Sequence, residues 1–445
     1  MLYGITLFDT VISVLYIILI LLIARAFRPS KNEVYYNIYF KYVRFKILFG
    51  ILFALIYIYY FKGGDTFLYF QGGNFFIDQV FSNPANIFNL FSQDFKDIRN
   101  LTYTENQYLL HFFKGNDILL NSKIVSFFCL LGFKQYFATT ILFTSFTSIG
   151  LWKLYTTLCK LFPPLYQLFA VGVLFYPTIA IWGSGILKDP VTIMCVGLIF
   201  SSIFNLSNGK KVISSLVLVL VSIYVCVVLK PYILYIFIPC MLLWVQIRLS
   251  SKIKNVFVRI FSFVLLGSFF LGGGALFIQR VSSGAGKYAL DNVQEVAEGF
   301  QSWHTFLSET RDQSGYSLGE VEFTVSGIIS KAPEAFIVTY FRPFLFTDVN
   351  NFSLAFEAVQ TFTLLIITLL ILFRVGISKF FKIGIFDKNV GPFFLFVLLF
   401  GISVGLTSYN FGALSRYKIP ALPFFTASLA IIYYLGYLKP KGLMK

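Results

Sequence analysis

The chain has 445 residues, of which 57% are hydrophobic and 13% charged, with a mean hydropathy of +0.77 and a net charge of +16. That composition excludes a soluble globular protein, and repeated apolar runs of 17 to 22 residues point to an all-α, polytopic bundle of transmembrane helices. The basic excess does not imply nucleic acid, because Lys and Arg gather in the cytoplasmic loops of membrane proteins and their placement decides their meaning.

In chain order, about eleven spans are expected: 8–27, 45–62, 136–156, 165–182, 190–206, 212–229, 232–247, 257–278, 353–374, 390–407 and 418–437,. No basic flank precedes the first run, whereas Arg25, Arg28 and Lys31 follow it, so the first helix is expected to stay uncleaved with its N-terminus outside. An N-out, C-in arrangement places 21 basic residues and two acids, Glu33 and Asp387, in cytoplasmic loops. The six basic residues from Arg25 to Lys46 make the largest group. Inverting the chain would invert that bias throughout, which is why the positive-inside rule fixes the orientation. Cys129, Cys159, Cys195, Cys226 and Cys240 all lie in apolar runs without a pairwise motif, so they read as packing residues rather than disulfides or zinc ligands.

Residues 1–445 then form a single integral membrane domain with two long outer loops, 63–135 and 279–352. The first loop spaces Phe76, Val80, Phe81, Ile87, Phe88, Phe91 and Phe95 on a helical face, as an interfacial helix would. Its apolar stretch at 122–133 is too short to cross and reads as re-entrant or interfacial. The second loop is polar from Lys287 to Glu322, then apolar to Phe346 with Lys331, Glu334 and Arg342 interspersed, the pattern of a half-buried helix returning over the bundle. No internal repeat is visible.

Five polar clusters fall at the outer face. In Gly63-Gly64-Asp65-Thr66-Phe67-Leu68-Tyr69-Phe70-Gln71-Gly72-Gly73, glycine pairs flank one carboxylate where the chain leaves the bilayer. Asp65 reads either as a helix cap, or as a general base or a carboxylate that orients a sugar hydroxyl or a cation. Gly183-Ser184-Gly185-Ile186-Leu187-Lys188-Asp189-Pro190 forms the hairpin between the fourth and fifth spans. Asp189 before Pro190 is a good helix start, and a glycine turn with Lys188 at a helix N-terminus can hold an anion. Lys230, before Pro231 and Tyr232, is either a snorkelling interface lysine or a ligand. Arg342 either pairs with an acid or lipid phosphate, or joins the site. The last cluster, Tyr409 to Pro420, brings Asn410, Ser415, Arg416, Tyr417 and Lys418 to a helix entrance, where a guanidinium suits phosphate by bidentate hydrogen bonding. Glu105, Asp117 and the acids at 291–322 read as solvated loop charges. With His111 and His304 the only histidines, a multi-histidine metal site or histidine acyltransferase is not expected.

The turn Gly63 to Tyr69, the Ser184 to Asp189 hairpin and the closing Ser415-Arg416-Tyr417-Lys418-Ile419-Pro420 resemble bacterial polysaccharide polymerases of the Wzy and EpsG-like kind, and the wider GT-C type of membrane glycosyltransferase. The resemblance implies a sugar or oligosaccharide donor on polyprenyl diphosphate, consumed at the outer face of the bacterial cytoplasmic membrane. Its partners would be that glycan and membrane lipids. No cofactor is expected, and because the first loop lacks an Asp-x-Asp pair, a divalent cation is not indicated but stays open. The diphosphate would meet Arg416, Lys418, Lys188 and Arg342, and Asp65 would deprotonate or orient the acceptor hydroxyl. Phe67, Tyr69 and Tyr409 would pack against sugar faces, and Lys230 and Asn410 are further substrate-binding candidates. A flippase of lipid-linked glycans and a non-catalytic envelope scaffold are the rival readings. Transporters usually carry repeats and midplane polar groups.

Overall fold

A computed structural model describes residues 4–84, 87, 112–250, 253–261, 315–319, 321–322 and 324–443, with scattered positions between 264 and 306. The helices in chain order are α1 (Leu7–Ala26), α2 (Tyr36–Phe61, closing in a wide π turn), α3 (Asp65–Ser82), α4 (Asn116–Leu131), α5 (Tyr136–Leu161) and α6 (Pro163–Leu174). There follow α7 (Pro177–Trp182), α8 (Lys188–Ser207), α9 (Val212–Leu229), α10 (Pro231–Ser250) and α11 (Val325–Phe341). The last five are α12 (Phe352–Val375), α13 (Ile377–Phe386), α14 (Val390–Ser408), α15 (Phe411–Tyr417) and α16 (Leu422–Leu438). Among the described residues the only strand-like feature is an isolated bridge between Gly315 and Asn410. An all-helical chain is what lipid demands, since each helix satisfies its own backbone polar groups where no water can.

Seven of these helices, α1, α2, α8, α9, α10, α12 and α14, are long and apolar enough to cross a membrane, and two bent pairs raise that to nine. The pair α4 and α5 bends by 115°, and α15 and α16 by 67°. Of the eleven expected spans, 165–182 is broken: α6 gives way to an unwound Phe175 and Tyr176 before the six-residue α7. Half of 257–278 lies outside the described residues. So do Phe88, Phe91, Phe95, Glu105, His111, His304 and most of the acids at 291–322.

The chain divides into two compact units. The first comprises Met1–Thr156, Ile179–Leu198 and Tyr224–Lys230. Here Asp9 accepts hydrogen bonds from the amides of Phe137 and Ala138 at 3.0 Å each, capping the first turn of α5 from another helix,. Close helix approach depends on glycine: a Cβ on Gly150 of α5 would lie 2.3 Å from the Met194 backbone of α8. The surface helix expected after Gly73 is part of a helix that begins at Asp65, α3, in which Phe70, Phe75 and Phe76 are buried and Phe81 is exposed.

The second unit comprises Thr157–Thr178, Ile199–Ile223 and Pro231–Lys445. Its core is aromatic, with Phe200, Trp244, Phe393 and Phe424 in mutual ring contact. The half-buried helix expected over 323–346 forms as α11, capped by Thr324. It is stitched to α14 by Thr339 Oγ1 donating to the Gly401 carbonyl at 2.6 Å and Tyr340 Oη to that of Val397 at 2.9 Å.

Candidate functional site

In the first unit the polar chemistry gathers around Gly183–Leu187, a non-helical stretch between α7 and α8 whose five residues are all buried. Gly183 and Gly185 make this possible. Gly185 has φ +78°, and a Cβ there would sit 2.0 Å from the Phe53 ring, so any other residue would be strained and would clash. Unwound backbone away from water needs partners, and Lys46 and Thr144 supply them. Lys46 Nζ donates to the Gly183 carbonyl at 2.8 Å and to Ser184 Oγ at 2.7 Å. The Gly185 amide donates to Thr144 Oγ1 at 2.8 Å.

Two expectations need correction here. Lys46 is not a cytoplasmic loop lysine. It lies ten residues into α2, roughly 15 Å from the helix start at 1.5 Å per residue, and is 1% exposed. Nor is the 183–189 segment a surface hairpin, because it packs on inner turns of α2 and α5. The sequence carried a signal for Lys46 in the apolar run that surrounds it, but a lysine at the edge of a basic cluster reads first as part of that cluster.

The head of α8 carries two ion pairs. Lys188 Nζ meets Asp117 Oδ2 at 2.8 Å, and Lys230 Nζ meets Asp189 Oδ1 at 2.6 Å. Asp117, expected to be a solvated loop charge, opens α4 with its side chain only 8% exposed. Asp189, expected to cap α8, sits inside its first turn and directs its carboxylate to Lys230. Asp65 stands exposed at the start of α3, where Thr66 Oγ1 and Tyr136 Oη lie 3.0 Å apart. Tyr69 is buried edge-on to Phe112 and so belongs to the packed face of α3 rather than an open wall.

In the second unit, Lys418 Nζ lies 2.7 Å from Glu357 Oε1, with both side chains under 8% exposed. Thr178, at the head of α7, donates its hydroxyl to Glu357 at 3.1 Å and its amide to Gln360 at 2.7 Å. Glu357 and Gln360 share one face of α12 and cap the helix that restarts after the break. Sequence reading missed Glu357, which sits alone in a long apolar run. Arg342 grips Asp348 with two parallel bonds of 2.9 and 2.7 Å, and the Phe344 amide adds a third at 2.7 Å. Burial alone would raise the Asp348 carboxyl. The bonds from Arg342 and Phe344, with the guanidinium charge, outweigh it and hold the group below the usual carboxylate range,. Asn410 caps α15 through Ala413 at 3.0 Å, and Tyr316 stacks on Tyr409 beside it. Arg416 is half-buried in the last turn of α15.

Exposure sorts the expected cations. Lys230 and Lys418, at 8% and 2%, are closed in by their carboxylates. Lys188 and Arg342 are more open, at 17% and 21%. Among the described residues no three His, Cys, Asp or Glu side chains converge as a metal would require. No family model, curated protein or solved structure matches the chain.

Proposed function

We propose that this chain is a multi-pass membrane glycosyltransferase, of the polysaccharide-polymerase kind, that takes a sugar or oligosaccharide from a polyprenyl-diphosphate donor at the outer face of a bacterial cytoplasmic membrane. The observation that carries the reading is the partly accessible Lys188–Asp117 pair at the head of a buried, glycine-built break between α7 and α8. A cation and a carboxylate held together in an apolar bundle are expensive to maintain, and such residues usually mark the path of a polar substrate. In the proposed reaction the acceptor hydroxyl oxygen bonds to the anomeric carbon while the bond from that carbon to the diphosphate oxygen breaks. Lys188 neutralises the diphosphate as it leaves, aided by the helix dipole at the start of α8. Asp65, exposed at the head of α3, takes the proton of the acceptor. The outward N-terminus follows from the basic bias of the expected cytoplasmic loops.

The test is genetic: delete the gene in its host, restore wild type or Lys188→Ala, and profile surface polysaccharide with its lipid-linked precursors. Single repeat units accumulating in the deletion, and long polymer restored by wild type alone, support the proposal. An unchanged profile overturns it.

A second reading, a flippase for the same lipid-linked glycan, draws on Lys46. A buried ammonium half-way along a spanning helix, bonded to a broken helix, is a feature of transporters,. It predicts precursors trapped on the cytoplasmic side.

A further inference from the structure

Where the C-terminal half of α1 meets the first half of α2, a groove of about 470 Å³ is lined by Ile18, Leu21, Leu22, Arg25, Arg28, Phe40 and Arg44. Its order along the helices is informative. Ile18 lies three and four residues before Leu21 and Leu22, and these lie four and three before Arg25, so a single stripe of α1 runs from bare hydrocarbon to a guanidinium,. Ile18 and Leu22 are 51% and 59% exposed, as lipid-facing side chains would be. On α2, Arg44 reaches back over Phe40, with its guanidinium carbon 5.8 Å from the ring centroid. Arg28 is laid against Tyr36 at 3.6 Å and against Phe40 at 5.0 Å, which fixes the plane of its fork,.

The charge here is unanswered, unlike that of the expected site cations with a carboxylate partner. Lys188, Lys230, Arg342 and Lys418 each meet a carboxylate. Arg25, Arg28 and Arg44 meet none among the described residues, and Glu33, the acid of this loop, does not line the groove. The Nε of Arg28 is buried without a hydrogen-bond partner. The positive-inside rule accounts for basic residues anywhere in such a loop. It does not account for three guanidiniums converging on one groove, one of them pre-oriented by stacked rings with an orphaned donor.

We propose that this groove binds the headgroup of one anionic phospholipid, its phosphate held between Arg25, Arg28 and Arg44 and an acyl chain lying along Ile18, Leu21 and Leu22. Three guanidiniums without an acid among them fit an anionic headgroup better than a neutral lipid. Guanidinium forks take phosphate oxygens in pairs, and basic pockets between spanning helices select anionic lipid headgroups. The site is independent of the transferase reading, since none of its residues belongs to that machinery.

The test reconstitutes the purified protein in phosphatidylcholine nanodiscs doped with phosphatidylglycerol and counts the lipid that stays bound by native mass spectrometry. Wild type should keep phosphatidylglycerol in preference to phosphatidylcholine. At about a fivefold loss per basic residue removed, Arg28→Gln should weaken retention about fivefold, and the triple change of Arg25, Arg28 and Arg44 to Gln about a hundredfold. Arg28→Lys, which keeps the charge but not the fork, should fall between, and Lys382→Gln on α13 should change nothing. Each variant is first checked for a monodisperse elution peak, and Arg28→Gln replaces the triple variant if the latter fails. The proposal is overturned if Arg28→Gln or the triple variant holds phosphatidylglycerol as wild type does, if phosphatidylcholine is held equally, or if polyprenyl phosphate displaces phosphatidylglycerol at equal concentration. That last outcome would make the groove an entry for the donor lipid.

Discussion

Replacing Lys418 with Met separates a structural role from a ligand role, and the structure sets its magnitude. Met keeps most of the side-chain volume and removes the charge, leaving Glu357 in a site under 8% exposed with only the Thr178 hydroxyl on its carboxylate. Removing one partner of a buried ion pair typically costs 3–5 kcal/mol. The expected loss lies at the lower part of that range, about 3 to 4 kcal/mol, because Thr178 stays on the carboxylate,. Glu357→Gln added to Lys418→Met removes the stranded charge while keeping an acceptor for Thr178, and should recover all but about 1 kcal/mol. The assay is unfolding by sodium dodecyl sulfate in mixed micelles, followed by tryptophan fluorescence for the wild type, both single variants and the double. A Lys418→Met protein as stable as wild type, or a double variant no better than the single, would refute the ion-pair account and return Lys418 to the list of substrate ligands.

Three further outcomes follow from the same geometry. Gly185→Ala combines a left-handed backbone with a Cβ 2.0 Å from Phe53 and should cost at least about 2 kcal/mol, seen as a lower yield of monodisperse protein. Phe53→Leu should relieve the steric part of that loss and not the backbone part. For the Arg342–Asp348 clamp, the carboxyl is held below its usual value in the folded protein. Its contribution to stability is therefore complete above the unfolded-state value of about 3.9 and is lost as pH falls through the lower folded one. Thermal melts in detergent should show that acid-side loss in wild type and not in Asp348→Asn. Asp65→Asn should leave a folded protein in the membrane with polymer formation abolished, and full activity in that variant would remove Asp65 from the mechanism.

Much of the helical architecture was legible because lipid allows a spanning chain few alternatives. Apolar runs of the right length identified α1, α8, α9, α10, α12 and α14 to within a few residues. What hid was burial inside the bundle. Asp9, Lys46 and Glu357 each look like isolated charges at or within an apolar run, and nothing local reveals that they serve a helix start, an unwound loop and a distant lysine. Those contacts join residues 128, 137 and 61 positions apart or more, beyond any periodicity. The same limit explains why the 183–189 segment, with glycines and a proline, reads as a surface turn. Turn chemistry is identical whether the turn faces water or is packed between helices. Of the expected site residues, Lys188, Lys230, Arg342 and Lys418 were recognised as unusual cations, but their carboxylate partners were not assigned. Asn410 and Tyr69 proved to be a helix cap and a packed ring.

The most direct measurement of the central claim is transfer itself. Wild-type protein and Lys188→Ala are reconstituted into liposomes that contain lipid-linked glycan extracted from the deletion strain, and the glycan length is read by mass spectrometry. The account predicts longer lipid-linked chains and released polyprenyl diphosphate with wild type, and neither with Lys188→Ala. Glycan that stays at its starting length but crosses to the other leaflet would contradict it.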